Sequence, residues 1–348
     1  MNQSQLKRMP AEWEKHQGIL LSFPHNGADW PGKYAAIQWA FIEFISKIST
    51  SETVFLIVKA ENQKKHVVEM CKRAHIDLEK IKFIIQDTNR SWMRDSGPIV
   101  VVDNSGKREA LQFKFNAWAK YKNYRKDKLI PKAVASSLNI PLKQVTYKSK
   151  PVALEGGAID VNGKGTLITT EECLLDEKIQ VRNFGFTKLD YESVFSEFLG
   201  VTNVIWLGKG IEGDDTHGHV DDICRFVNEN TVVVCEETDK SDINHKRMKD
   251  NIKRLETARL ENGKSINIVT VPLPKRIDFE NMRLPASYVN FLITNKSVLV
   301  PTFNDKNDYI ALTTFNKLFP DREIIGINCT DLVWGLGTLH CLSHEIPA

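Results

Sequence analysis

Cys341 stands behind the flexible stretch 335–337 with His340 beside it, where a thiol could act as a nucleophile. A cysteine attacks as thiolate, and its free pKa is about 8.5, so its surroundings decide its use. The segment GDDTHGHVDD (213–222) packs four aspartates and two histidines into ten residues. If a strand runs from 219, His219 and Asp221 share one face, because strand side chains alternate. A histidine beside a carboxylate makes a general acid/base or two metal ligands, and His217 with His219 forms the HxH pattern of metal-dependent hydrolases. SWMRDSG (91–97) offers Trp92 and Asp95, and LEGG (154–157) offers Glu155. Each motif also has a plain structural reading. These are an inert buried thiol at Cys341, a solvated acidic turn at 213–222, a surface Arg94–Asp95 ion pair and an exposed Glu155 at a glycine turn.

Together, a thiol, an imidazole, three carboxylates and a tryptophan suit one kind of substrate. Acids around a thiol raise its pKa and repel anions. They suit a planar cation rich in N–H donors. A guanidinium fits, with carboxylates on its N–H edges and an aromatic ring over its face. The thiolate then attacks an already electron-poor carbon, so the chemistry calls for neither metal nor cofactor. The bound cation lowers the thiol pKa, supplying the charge that the acids remove.

The elements that must bring these residues together form a repeat. Asn162-Gly163 separates two strand-like runs in 157–170, a strong hairpin signal. Similar pairs occupy 98–115, 223–235 and 288–303. Helical spacing predicts helices over 33–50, 191–199, 242–260 and 307–319, and short apolar runs predict strands at 53–58, 82–86 and 203–207. The unit reads strand, strand, helix, strand. Asp95, Glu155, His219, Pro285 and Cys341 mark the motifs at spacings of 60, 64, 66 and 56 residues. A period of about 60 marks a repeated supersecondary unit. Units placed around one axis would bring Asp95, Glu155, His219 and Cys341 together.

The chain of 348 residues accommodates two ordinary domains or one large repeat-built domain. With 42% hydrophobic and 26% charged residues it has the mixture of a globular protein. The net charge of +3 argues against a dedicated nucleic-acid binder, although the basic, aromatic-interleaved stretch 115–128 could in principle stack bases. No apolar run approaches the roughly 18–20 residues of a membrane span, and the N-terminal 17 residues do not read as a signal peptide. Six scattered cysteines without a CxxC pair suit reduced thiols in a cytoplasmic protein.

The motifs in order resemble the agmatine deiminases of the guanidino-group-modifying (pentein) superfamily, related to the bacterial peptidyl-arginine deiminases. Those motifs are Pro10-Ala-Glu-Trp13 with Pro24-His-Asn26, Trp92-Met-Arg-Asp95-Ser-Gly-Pro98, Phe115-Asn-Ala-Trp118, Leu154-Glu-Gly-Gly157, Gly213-Asp-Asp-Thr216, Gly218-His-Val-Asp221 and His340-Cys341. The resemblance covers the chain from about residue 9. It implies an α/β fold, a pentein-type propeller of five ββαβ repeats in a single catalytic domain over residues 1–348. It implies a cofactor-free, metal-free hydrolase of polyamine metabolism that converts agmatine and water to N-carbamoylputrescine and ammonia. Cys341 would form an amidino-cysteine, His219 would be the general acid/base, and Asp95 and Asp221 would hold the guanidinium. Glu155 would orient His219, and Trp92 and Asp214 would line the substrate site. The partner implied is a small cationic guanidino compound, with no nucleic acid or membrane; homo-oligomerisation is left open.

Three departures touch the distal end of the substrate. Family members usually carry Thr-Asp-Gly-His where this chain has His217, glycines where it has Leu336, and glycine where it has Ala119. Deimination of free or peptidyl arginine is the alternative within the mechanism. Acids near the motifs (Asp214, Asp215, Asp29) outnumber arginines and favour an amine-ended substrate. Readings from other classes are a metal-dependent hydrolase on His217, His219 and Asp221, and a catalytically dead binding module.

Overall fold

The computed structural model describes residues 7–348, so the first six residues of the N-terminal stretch discussed above lie outside the described residues. The α/β chain builds one unit five times. In the first, Ile99–Asp103 and Arg108–Gln112 pair antiparallel and Leu142–Gln144 joins parallel, with Lys7–Arg8 at the outer edge. The second uses Asp160–Val161, Thr166–Thr170 and Asn203–Leu207. The third uses Cys224–Asn228, Thr231–Glu236 and Asn267–Pro272. Leu292–Ile293, Ser297–Thr302 and Glu323–Asn328 form the fourth. The fifth is split between the chain ends: Ser343–Pro347 pairs antiparallel with His16–Ser22, which continues parallel to Thr53–Val58 and Ile81–Ile85.

A parallel partner requires a crossover, and a helix supplies it in each unit: Ile130–Leu138, Lys188–Leu199, Ile243–Thr257, Asn307–Leu318 and Tyr34–Ser49. The helix Tyr34–Ser49 buries Ile37, Phe41, Phe44, Ile45 and Ile48, the stripe that its spacing predicts. Thr187 starts Lys188–Leu199 with a reciprocal capping box to Asp190, and Asp242 caps Ile243–Thr257. Strands covered on both faces read as continuous apolar runs; Thr231–Glu236 is buried along nearly its whole length. Among the described residues no helix is long and apolar enough to cross a membrane.

The ends of the units hold the site. The one-turn helix Met93–Ser96 packs against both Leu339–Leu342 and the turn Gly156–Ala158, which in turn meets Val220–Asp222. Motifs almost 250 residues apart therefore share one place. Here the structure corrects one expectation: no strand begins at 219. Residues 220–222 form a 3-10 turn and the strand starts at Cys224.

Buried charges tie the chain ends to this centre. Glu12 receives Arg225, Arg94 (3.1 Å) and His340 (2.8 Å), Arg94 also pairs with Glu345 at 2.8 Å, and Arg225 with Asp160 at 3.1 Å. The surface Arg94–Asp95 pair is thus replaced by a buried arginine facing away from Asp95. Breaking such a buried set one partner at a time leaves an uncompensated charge.

Candidate active site

A cavity of about 540 Å³ ends on Cys341, Asp95 and Trp92. His219, Asp221 and Glu155 lie behind this floor with no accessible surface. The ring of His219 is the hub. Its Nδ1 is 3.7 Å from Asp95 and 3.9 Å from Asp221, and its Nε2 is 3.6 Å from Glu155. These separations are longer than hydrogen bonds, so charge rather than a bond holds the ring. Gly157 explains the glycine pair in LEGG: a Cβ there would stand 2.6 Å from His219 Nδ1 and 3.0 Å from both Asp221 and Asp95.

Each acid has its own support. Asp95 accepts from Trp118 Nε1 at 2.8 Å and from the Gly157 amide at 3.3 Å. Asp221 accepts from His340 Nδ1 at 2.7 Å and lies 3.6 Å from Cys341 Sγ. Glu155 takes Arg182 Nε on both oxygens at 3.1 Å, while the rest of that guanidinium serves the carbonyls of Gln180 and Thr216. The thiol rests in the one-turn helix Leu339–Leu342 and receives Asn290 Nδ2 at 2.9 Å. Asn290 donates also to Asp222, and its oxygen accepts from Thr338 and the His340 amide. One buried amide thus positions the whole turn around Cys341.

The electrostatics differ group by group. Burial raises the Cys341 thiol well above its ordinary pKa; Asp221, Asp222 and Asp95 add to this and the Asn290 bond opposes it. Burial pushes Asp95 up to about 6, with Asp221 and Glu155 reinforcing it and His219 opposing. Burial would raise Glu155 too, but Arg182 and His219 outweigh it and hold it at about 2. Burial disfavours a charged His219, yet Asp95, Cys173 and Glu155 raise it well above the usual range. Asp221 is lowered, because His340 and His219 outweigh its burial.

The structure therefore assembles Cys341, His219, Glu155, Asp95, Asp221 and Trp92. It places Asp214 elsewhere. Both oxygens of Asp214 are taken by Thr216 and by the amides of Gly218 and His219, so it shapes the turn that presents His219 rather than lining the cavity. His217 is also turned away, bonded to Asp176 at 2.9 Å, so the HxH pair is not brought together. Among the described residues two groups have metal-ligand spacing, Glu155 with Cys173 and His219, and Asp221 with Asp222 and Cys341. In each a carboxylate is already committed, Glu155 to Arg182 and Asp222 to Asn290.

Asn290, Arg182 and Cys173 carry no motif signal of their own. Asn290 sits in the apolar run YVNFLI, Arg182 in an irregular segment, and Cys173 on the helix Glu171–Leu175 without a glycine turn. The basic stretch 115–128 closes over the body: Trp118 reaches Asp95 and Tyr121 lines the cavity. Ala117, Trp118 and Ala119 all adopt positive φ, as does Leu336. Two positions where the family usually has glycine thus bear side chains in a backbone region that L-residues enter at a cost.

The family model for Porphyromonas-type peptidyl-arginine deiminase matches residues 8–347. An agmatine deiminase of Pseudomonas aeruginosa is 30% identical over 98% of this chain and 95% of its own. The agmatine deiminase of Enterococcus faecalis superposes with a TM-score of 0.89 at 28% identity, covering 99% of this chain and 97% of its own. A cysteine-to-serine variant of the C. jejuni agmatine deiminase with substrate bound gives a TM-score of 0.87 at 30% identity, covering 98% and 96%. Matched along nearly its whole length, this chain belongs to the Porphyromonas-type peptidyl-arginine deiminase family.

Proposed function

We propose that the protein is an agmatine deiminase, hydrolysing agmatine to N-carbamoylputrescine and ammonia through an amidino-cysteine on Cys341. The observation that carries this reading is a charge deficit. Cys341 lies at the end of a cavity among Asp95, Asp221 and Asp222; Asp221 is supported by His340, but among the described residues none of the three acids makes a direct ion pair with an arginine or lysine as Glu155 does with Arg182. A guanidinium supplies the missing positive charge and offers N–H groups to Asp95 and Asp221, with Trp92 along the wall. Full-length similarity to agmatine deiminases supports the same substrate. The five units, which meet at their motif ends, form a closed propeller in this reading, and the whole chain is one catalytic domain. Six buried, unpaired cysteines support a cytoplasmic setting.

Bound guanidinium lowers the Cys341 pKa, and Sγ attacks the central carbon. The thiol proton is released as the cation binds. The C–N bond to one terminal nitrogen breaks, and protonated His219 gives its proton to that nitrogen, which leaves as ammonia. The product is an S-linked amidinium cation. Water, deprotonated by the now neutral His219, then attacks the same carbon. The C–S bond breaks, the added hydroxyl proton passes to sulfur, the ureido product forms, and the thiol and the protonated His219 are restored. Asp95 and Asp221 hold the cation throughout, and Arg182 keeps Glu155 ionised to support a protonated His219.

The test is ammonia and ureido-product release from agmatine, arginine and an N-terminally blocked arginine peptide. Agmatine should be the preferred substrate. Cys341→Ser should fold normally and lose turnover by several orders of magnitude, because an alkoxide forms far less readily than a thiolate. Near-normal turnover by a folded Cys341→Ser protein excludes the covalent route.

A further inference from the structure

The outer part of the cavity carries a second charge imbalance. Its lining includes four acids, Asp29, Asp95, Asp215 and Glu280, and one basic side chain, Arg90. Three of the acids are committed. Asp29 pairs with Arg90 at 2.8 Å and accepts from Asn26 at 3.0 Å. Asp215 holds Lys120 at 2.5 Å and the Tyr121 hydroxyl at 2.8 Å. Asp95 lies at the floor with Trp118. Glu280 has no hydrogen bond or ion pair to any described residue. Arg90 is equally spent: besides Asp29 it donates to Asn123 at 3.1 Å and lies 4.3 Å from the centre of the Tyr121 ring.

Glu280 is held in place although its carboxylate is free. It occupies the turn between Asp278–Phe279 and Met282–Arg283, where Glu280 and Asn281 both take positive φ, the conformation of a tight two-residue hairpin turn. On one side Phe279 packs against Trp334, the rings tilted at 31° with centres 3.7 Å apart. On the other, Arg283 makes a two-pronged pair with Asp242, both contacts at 2.8 Å. Both arms of the hairpin are therefore pinned, and Phe279, Met282 and Trp334 add apolar wall beside the carboxylate.

We propose that Glu280 receives the distal ammonium of the substrate and sets the preference of this site for an amine-ended over a carboxylate-ended guanidine. The proposal rests on the deiminase reading above and deepens it. The apolar wall suits the methylene chain between two charges, and the spent Arg90 offers nothing to a carboxylate. An uncompensated Glu280 repels that carboxylate.

The experiment measures kcat/KM for wild type, Glu280→Gln and Glu280→Lys with agmatine, arginine and pentylguanidine, which replaces the distal amine by a methyl. Wild type should prefer agmatine to pentylguanidine. In Glu280→Gln that ratio should fall about tenfold, chiefly through KM, the size expected for a lost charge-assisted bond. Glu280→Lys should shift preference toward arginine. Because pentylguanidine reports the active fraction of each variant, misfolding cannot mimic a changed ratio. An unchanged ratio, with agmatine and pentylguanidine affected alike, overturns the role of Glu280 while leaving the deiminase standing. Wild type inactive on all three compounds overturns both.

Discussion

On the Glu155 side of His219 and on the Cys341 side, acids lie equally deep, yet they are not equally compensated. Glu155 has Arg182 on both oxygens and is held at about 2. Across the ring, Asp221, which has His340 on one oxygen, is lowered, but Asp95 is pushed up to about 6, and Asp222 and the Cys341 thiol stand well above their ordinary values. Burial is common to both regions, so it does not explain the difference. A matched arginine does. The first region is complete in the free protein; the second lacks one positive charge of the size and shape of a guanidinium. A buried charge without a partner costs several kcal/mol, so such a deficit is a reservoir that substrate binding can draw on.

The comparison breaks most severely if the complete side is made incomplete. Arg182→Met should destabilise the fold by about 3–5 kcal/mol, since it leaves Glu155 buried and uncompensated. Equilibrium denaturation across pH checks this and its sign. Glu155 titrates near 2 when folded against an ordinary 4.5, so its contribution is full above about 4.5 and is lost as pH falls toward 2. The gap between wild type and Arg182→Met should therefore narrow over that range. A neutral-pH difference below about 1 kcal/mol, the level of a surface pair, would mean that Arg182 and Glu155 are not the closed unit described.

A smaller change sharpens the contrast from the other side. Asp95→Asn removes one uncompensated acid beside the thiol. It should weaken kcat/KM for agmatine by roughly tenfold or more, the loss of a charge-assisted bond of about 1.5–3 kcal/mol. In the free enzyme it should act in the opposite sense, lowering the Cys341 pKa and speeding alkylation by a neutral reagent. Turnover and alkylation falling together would contradict the charge-deficit account, because simple damage to the site moves both the same way.

These two regions were not equally legible in the sequence. The hairpins flanking 162–163 and 229–230 and the helical stripe from Ile37 to Ile48 could be read from local pattern, because turn chemistry and side-chain periodicity act over a few residues. The five-motif period placed Asp95, Glu155, His219 and Cys341 together, and the structure brings them there. The partners that decide ionisation were hidden. Arg182 meets Glu155 across 27 residues that contain a hairpin and a short helix. Asn290 looks like a polar interruption in an apolar strand, whereas Pro285 was the conspicuous mark of that repeat. Asp214 looked like a binding acid because it stands beside His219 in sequence, yet a carboxylate followed by small residues readily turns back on its own amides. His219 and Asp221 meet through a 3-10 turn rather than a strand face, so the right neighbours followed from the wrong periodicity.

The central claim is that the free enzyme keeps Cys341 protonated and that a guanidinium draws out the proton. The most direct measurement is alkylation of Cys341 across pH, mapped by mass spectrometry, with neutral iodoacetamide and with a cationic haloamidine that mimics the guanidinium. The account predicts slow iodoacetamide labelling near pH 7, much faster inactivation by the cationic reagent, and protection by agmatine. Rapid labelling of Cys341 by iodoacetamide without substrate, titrating well below pH 7, would show a standing thiolate paired with protonated His219 and would contradict it.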